Sequence, residues 1–390
     1  MSPPGARDRP EESLAPAGKA PDDSPAPWRL SVAWGLALPL GWGLLRLAAL
    51  VPAWVDAGYS RTVFPLVRMV LRAFAALLPF HLMEVLLGLG LLWLLWLARR
   101  AGQSWWRRRR SPSNLLLHGL ARSLRVAGAL YLVFLGTWGL NHARLPYAEH
   151  AGLAVAEVSV AELDALTGEL VAECNRLKAG LDPLALELAA DRDGMDPRLT
   201  AAFGRLAEEV PVLAGGRPLV RRAWLSPVLS FLGISGIYSP FTAEAHLNDE
   251  VPVHAHAFNA AHEVAHFLGF AREDEASFIA WQVCRRAADP ALRYSGTLEA
   301  MRSCAGALAY ADPSRAEARW RELDPAVLAD VRASRDFWAS KRSFLTSVSR
   351  LSNDLYLKSQ GQAEGTASYG RVVDLLVAEW RAAQRGETRR

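Results

Sequence analysis

The chain has 390 residues, 51% of them hydrophobic, and 44 Lys and Arg against 40 Asp and Glu give a formal net charge of +4 at pH 7. That length holds one sizeable folded core plus extra apolar segments. The positive charge sits beside the longest apolar runs instead of forming a basic patch, so it reads as membrane topology and excludes nucleic acid as a partner.

Residues 1–28, rich in Pro, Ala, Asp and Glu, lack hydrophobic periodicity and read as a disordered cytoplasmic tail. The apolar stretch at 30–51 is too long for the core of a signal peptide and reads as a first membrane span. Further apolar runs at 80–98 and 124–140 complete an expected membrane region over 29–141 with three spans. Between the second and third run lie Arg99, Arg100, Arg107, Arg108, Arg109, Arg110, Arg122 and Arg125, with Trp105 and Trp106 as interfacial anchors. The positive-inside rule makes this loop cytoplasmic and puts everything after Asn141 outside. Residues 52–79 space Arg61, Arg68 and Arg72 among Val63, Leu66, Val67, Val70, Leu71 and Phe74, as in an amphipathic helix lying on the membrane surface. Arg46 and Glu84, well inside the first two spans, either pair between helices or snorkel separately.

From 145 to 385 the composition is that of a folded domain outside the membrane. Ser159 with Glu162 is a capping-box signature, followed by Leu163, Leu166, Leu170, Cys174 and Leu177 at helical spacing. Short β-favouring pieces at 219–225, 234–241 and 245–248 predict a small sheet. Helices return after it, punctuated by Asp289-Pro290, Asp312-Pro313 and Asp324-Pro325. The fold class expected is mainly α, three transmembrane helices followed by an α+β domain with a small sheet. Cys174, Cys284 and Cys304 lack the spacing of a thiolate metal or redox motif and read as buried side chains, with Cys284 and Cys304 the pair placed to bridge outside the cytoplasm.

Chemistry concentrates in His262-Glu263-Val264-Ala265-His266. Two histidines four apart project from one helix face and can share a metal ion, and Glu263 stands where a general base must to take a proton from water. The predicted helix, 258–268, is ended by Gly269, and a second helix begins near Arg272 with Glu273, Asp274 and Glu275 turned back toward the first. A carboxylate from there makes a third ligand and leaves a position open, the arrangement of catalytic zinc. Arg272 occupies the third-histidine position of the metzincin pattern and cannot ligate, so that pattern is rejected. His254 and His256, at period two on an extended approach, are expected to be exposed, and His81, His118, His142 and His150 read as interfacial imidazoles.

The motif with its second helix resembles the gluzincin peptidases, whose second helix reads Glu-x-x-Ala-Asp or Glu-x-x-Ala-Asn. On this chain the resemblance implies Glu273 as third ligand, with Glu275 the alternative if the second helix starts in another phase, and it puts Ser277 where the family has a residue orienting a ligand histidine. Gly236 to Thr242, the block from His262 to Ser277, Tyr356-Leu357-Lys358, Gly365 and Ser368-Tyr369-Gly370 also resemble the bacterial membrane family called domain of unknown function 3810. Together these resemblances imply a zincin-like, zinc-dependent endopeptidase in the bacterial cytoplasmic membrane. Multiple spans would hold its C-terminal domain outside, where it hydrolyses a peptide or protein substrate by zinc-activated water with Glu263 as base. Tyr356, Lys358 and Tyr369 are candidate donors to the oxyanion, and Tyr238 and Phe241 candidate edge-strand residues against which an extended substrate adds. The competing expectation is a catalytically inactive zinc-site protein of the envelope acting as a binding or scaffold module.

Overall fold

The computed structural model describes residues 35–106, 112–190, 192–215, 220–360 and 371–386. The membrane-proximal part comprises α1 (Ala37–Ala48), α2 (Pro52–Val55), a π-helical stretch Asp56–Val63, α3 (Phe64–Ala76), α4 (Leu82–Trp106) and α5 (Pro112–Thr137). Beyond it follow α6 (Tyr147–Ala151), α7 (Val160–Ala179), α8 (Pro183–Ala190), α9 (Arg192–Glu209), β1 (Val220–Arg222), α10 (Ser226–Leu232), β2 (Gly236–Tyr238) and β3 (Ala245–Leu247). The chain closes with α11 (His256–Phe267), α12 (Glu273–Arg285), α13 (Pro290–Ala311), α14 (Pro313–Arg321), α15 (Pro325–Ser340), α16 (Phe344–Ser359) and α17 (Val372–Gln384).

The described residues hold two helical segments long and apolar enough to cross a bilayer, Leu82–Arg100 and Gly119–Thr137, where the apolar runs had suggested three. The first expected span yields a described helix of only 12 residues, about 18 Å at 1.5 Å per residue, short of the roughly 30 Å of a hydrocarbon core. Its chain then breaks before Pro52 and turns by 104° into the helices that follow. Proline has no N–H to continue a helix, so the break falls where the residue type requires. α1 packs closely along α5, because a Cβ on Gly41 would meet Leu135 Cδ1 and Tyr131 Cε1 at 2.8 Å.

Residues 52–79 include the amphipathic helix expected there, its apolar face exposed and its opposite face packed into the protein. Leu66, Met69, Val70 and Phe74 of α3 are exposed, whereas Arg68 is buried. Its guanidinium donates to Phe267 O at 3.2 Å and Gly215 O at 3.0 Å and lies over the Phe267 ring. Glu84 and Arg46 do not pair: the Glu84 carboxylate accepts from Leu225 N at 2.8 Å and lies 2.6 Å from His81 Nδ1, and Arg46 rests on Trp42. Phe64, Phe134 and Trp138 therefore belong to the same core as Phe267 and Phe270, and packing is continuous across residues 141–145.

The capping box forms as the sequence specifies, with Glu162 N donating to Ser159 Oγ and Glu162 Oε2 accepting from Ser159 N. Leu163, Leu166, Leu170, Cys174 and Leu177 all point inward from α7. The three strands lie in the order β1-β3-β2, β1 parallel and β2 antiparallel to β3. β2 is thus an edge. Cys174, Cys284 and Cys304 are buried free thiols, so the bridge considered for Cys284 and Cys304 is absent.

Candidate metal centre

α11 ends in a Schellman turn: Phe270 N donates to Ala265 O and Gly269 N to His266 O, with Gly269 at φ 89°. A side chain at Gly269 would also strike Phe64, 2.7 Å from an added Cβ. This tight reversal starts α12 at Glu273, with Arg272 as its N-cap residue, and sets the first turn of α12 against the histidine face of α11.

There three donors converge. Glu273 Oε2 lies 3.1 Å from His262 Nε2 and 3.5 Å from His266 Nε2, and the two imidazole nitrogens are 3.1 Å apart. Ligand atoms at 2.0–2.1 Å from a tetrahedral zinc are separated by about 3.3 Å, so the three fit one face of such a polyhedron. Each imidazole is oriented from its other nitrogen. His266 Nδ1 donates to Phe270 O at 2.7 Å, which leaves the Nε2 lone pair toward the cluster, and His262 Nδ1 lies 3.2 Å from Ser277 Oγ. The serine thus reaches the nitrogen that the resemblance assigns to an Asp or Asn.

Burial opposes charge on His266, but the facing Glu273 carboxylate outweighs it and holds the imidazolium up to about 9. Glu273 also resists burial: His266 and His262 hold it below the usual carboxylate range. Such mutual stabilisation means that the three groups together bind a proton readily, and a cation placed among them replaces that proton.

Glu275 faces elsewhere. Its Oε1 accepts from Tyr147 N at 3.0 Å, and Asp274 pairs with Arg272 at 2.9 Å, so of the carboxylates that open α12 Glu273 alone meets the histidines. Glu263 lies on the adjoining face, buried, accepting a hydrogen bond from the Tyr238 backbone, and burial raises its pKa against the pull of the two imidazoles. Gly236 is what lets it sit there, because a Cβ on that residue would be 2.6 Å from Glu263 Oε1.

The centre opens on a cleft of about 1450 Å³ walled by β2, α11, α13 and α16. Tyr238 lies on the edge strand, and Phe241 is half exposed in the turn after it. Gly236 and Tyr238 alternate with the residues that exchange ladder hydrogen bonds with β3, so their backbone groups face the open edge. Tyr356 lines the cleft from α16, its hydroxyl 3.2 Å from His142 Nε2. Lys358 pairs with Asp354 at 2.7 Å on the exposed side, and Tyr369, with Gly365, Ser368 and Gly370, lies outside the described residues.

Two expectations are corrected here. His254 and His256 are buried: His254 Nε2 meets Ser334 Oγ at 2.7 Å and His256 Nε2 donates to Val251 O at 3.0 Å. A 3-10 turn, Val253–Ala255, carries the chain into α11 in place of an extended approach, which folds both rings inward. His142 is more than an interfacial imidazole. Its ring meets Trp138 edge-on, and burial, with His266 nearby, pulls its pKa down to about 3. Trp138 itself donates from Nε1 to His266 O at 3.0 Å. Trp138 lies near the end of the apolar run at 124–140 and His142 just past it, where composition points to a membrane boundary and gives no sign of the centre.

No curated protein and no solved structure matches the chain. The family model described as a protein of unknown function, DUF3810, matches residues 59–377, from the π-helical stretch through the cluster of His262, His266 and Glu273 to α17. The match covers well over half of the sequence, and the chain belongs to that family.

Proposed function

We propose that the chain is a membrane-anchored, zinc-dependent endopeptidase. The observation that carries this reading is the convergence of His262, His266 and Glu273, each imidazole oriented from behind, beside a buried carboxylate and an open cleft. Two imidazole nitrogens and one carboxylate oxygen are a donor set suited to zinc, and three protein ligands leave a position for the reaction, unlike a closed structural site. Zinc in that place supplies Lewis acidity, lowering the pKa of water to about 7 and polarising the scissile carbonyl.

The chain's own groups do the rest. Glu263, kept partly proton-seeking by burial, takes the proton from the attacking water and returns it to the leaving amine. The open edge of β2 offers backbone hydrogen bonds to an extended peptide and so fixes the scissile bond over the cluster. Tyr356 stands across the cleft as the donor to the oxyanion, its phenol kept neutral by burial and positioned by His142.

Orientation follows from charge and from the apolar surfaces. Arg99 and Arg100 end the first crossing segment and Arg122 and Arg125 begin the second, so the arginine-rich sequence between them is cytoplasmic by the positive-inside rule. The cleft then lies outside the cytoplasm, with the exposed apolar side of α3 resting on the outer leaflet.

The test is zinc content and peptide hydrolysis of the full chain in detergent. Glu263→Gln is expected to keep one ion at this centre and to lose about 10²- to 10⁴-fold in turnover, the usual weight of a general base. Unchanged turnover removes Glu263 from the mechanism, and full occupancy of the centre after His262→Ala removes the ligand assignment.

A further inference from the structure

A second cluster lies where α4 meets the sheet. His81 immediately precedes α4 and Glu84 stands in its first turn, three residues on, so both side chains rise from one face. His246 is the middle residue of β3, the central strand. All three are buried, His246 completely, and their ligand atoms lie within 4.8 Å of one another. None belongs to the centre around His262.

The arrangement is satisfied everywhere but at one residue. Glu84 uses one oxygen for Leu225 N and presents the other to His81 Nδ1 at 2.6 Å. Two residues before His246, just ahead of β3, Glu244 accepts from Leu82 N and Met83 N and lies 3.5 Å from Arg221. His81 stacks on Trp224 with ring centroids 4.2 Å apart and faces the His246 ring at 5.2 Å. Yet both ring nitrogens of His246 are sealed from water without a hydrogen-bond partner. A buried polar group left this way is destabilising, and apolar β-formers fill such a strand position without that cost. A group that takes a lone pair, placed among the three residues, would serve one of those nitrogens.

We propose that His81, Glu84 and His246 form a second metal site, which takes a divalent cation of the zinc class through two imidazole nitrogens and one carboxylate oxygen. The donor set excludes magnesium and calcium, which demand a shell of oxygens. Two of the ligands flank the start of a membrane-crossing helix and the third lies in the sheet. The ion therefore staples that helix to the domain. β3 is also the strand on which β2 pairs, Ile237 opposite His246, so the staple braces the strand whose Tyr238 backbone holds Glu263.

The experiment is metal stoichiometry on the full chain in detergent, loaded with zinc, freed of excess and measured by mass spectrometry. Two ions per chain are expected, falling to one in Glu84→Gln and to one in the His262→Ala, His266→Ala pair. The combination of all three substitutions should hold none. Glutamine keeps the shape of Glu84 and its bond to Leu225 N, so loss of the ion there reports coordination and not misfolding. Chelator should lower the melting temperature of the histidine-pair variant and leave the triple variant unmoved. Wild-type protein that holds one ion, lost in the histidine pair and kept in Glu84→Gln, overturns this site and leaves the peptidase reading standing. One ion lost in Glu84→Gln and kept in the histidine pair supports this site and overturns the other.

Discussion

Ser277 shows at the residue scale how a departure from a familiar pattern keeps its function. The hydroxyl lies 3.2 Å from His262 Nδ1, near enough to fix the ring tautomer, but it brings no negative charge to strengthen the imidazole as a ligand. Ser277→Ala is therefore expected to weaken zinc binding about 10-fold, toward the low end of the 10- to 100-fold usual for such partners, and Ser277→Asp to restore or exceed the wild-type affinity. Competition against a chromophoric chelator reads both, and an alanine variant with unchanged affinity means that the contact does not orient the ring. Gly236 carries a different prediction. Because an added Cβ falls 2.6 Å from Glu263 Oε1, Gly236→Ala must push the carboxylate aside while leaving the ligands in place, so it should keep zinc and lose most of its turnover. Loss of zinc with turnover would show that the strand, and not the base, is what the glycine protects. The histidine pair and Glu263 were legible because helical spacing alone puts them together. The choice between Glu273 and Glu275 was not, since it depends on the phase at which α12 begins, and the Schellman turn at Gly269 fixes that phase.

At the scale of elements, the most instructive case is α3. Periodicity shows that a helix has two faces but not what each face meets, and here the apolar face is bare while Arg68 enters the domain. A buried guanidinium between two carbonyls costs desolvation, which its hydrogen bonds to Phe267 and Gly215 and its contact with the Phe267 ring offset. Phe267 follows the ligand His266 directly, so Arg68 also fixes the end of α11. Replacing Arg68 with Met, which fills the volume without the donors, should cost about 2–3 kcal/mol by orphaning those carbonyls. The thermal midpoint should fall by several degrees, and zinc affinity with it; an unchanged midpoint would mean that water takes over the two carbonyls. The strands are legible for a related reason and to a related limit. Their β-favouring runs were visible, but the order β1-β3-β2, which leaves β2 at the edge beside the metal centre, depends on pairings across more than twenty residues. Likewise His254 and His256 looked exposed only while the approach to α11 was taken as extended; one 3-10 turn reverses them.

At the scale of the whole molecule, the membrane part and the folded domain are one packed body. Trp138 at the end of α5 bonds to the carbonyl of His266, and Glu84 at the start of α4 bonds to Leu225 beside the sheet. Composition divides the chain near residue 141 because the run of exposed leucines ends there, but the core does not divide. The apolar runs made α4 and α5 plain; the bend of 104° after α1 was hidden, since hydropathy reads length and not direction. On the proposed topology, in which Leu82–Arg100 and Gly119–Thr137 both cross, Arg61 and the cleft lie on one side of the bilayer and the far end of α4 on the other. All three native cysteines are buried, so introduced thiols report alone. Arg61→Cys, at a side chain 60% exposed, should react with a membrane-impermeant maleimide in intact cells, and Gln103→Cys, exposed beyond the first crossing segment, only after the membrane is opened. If Gln103→Cys labels in intact cells and Arg61→Cys does not, the arginine-rich sequence between the segments is outside, the cleft faces the cytoplasm, and the substrates are cytoplasmic. If both label, the segments do not cross as a pair, and α4 and α5 must be held at the membrane by the domain that their ends enter.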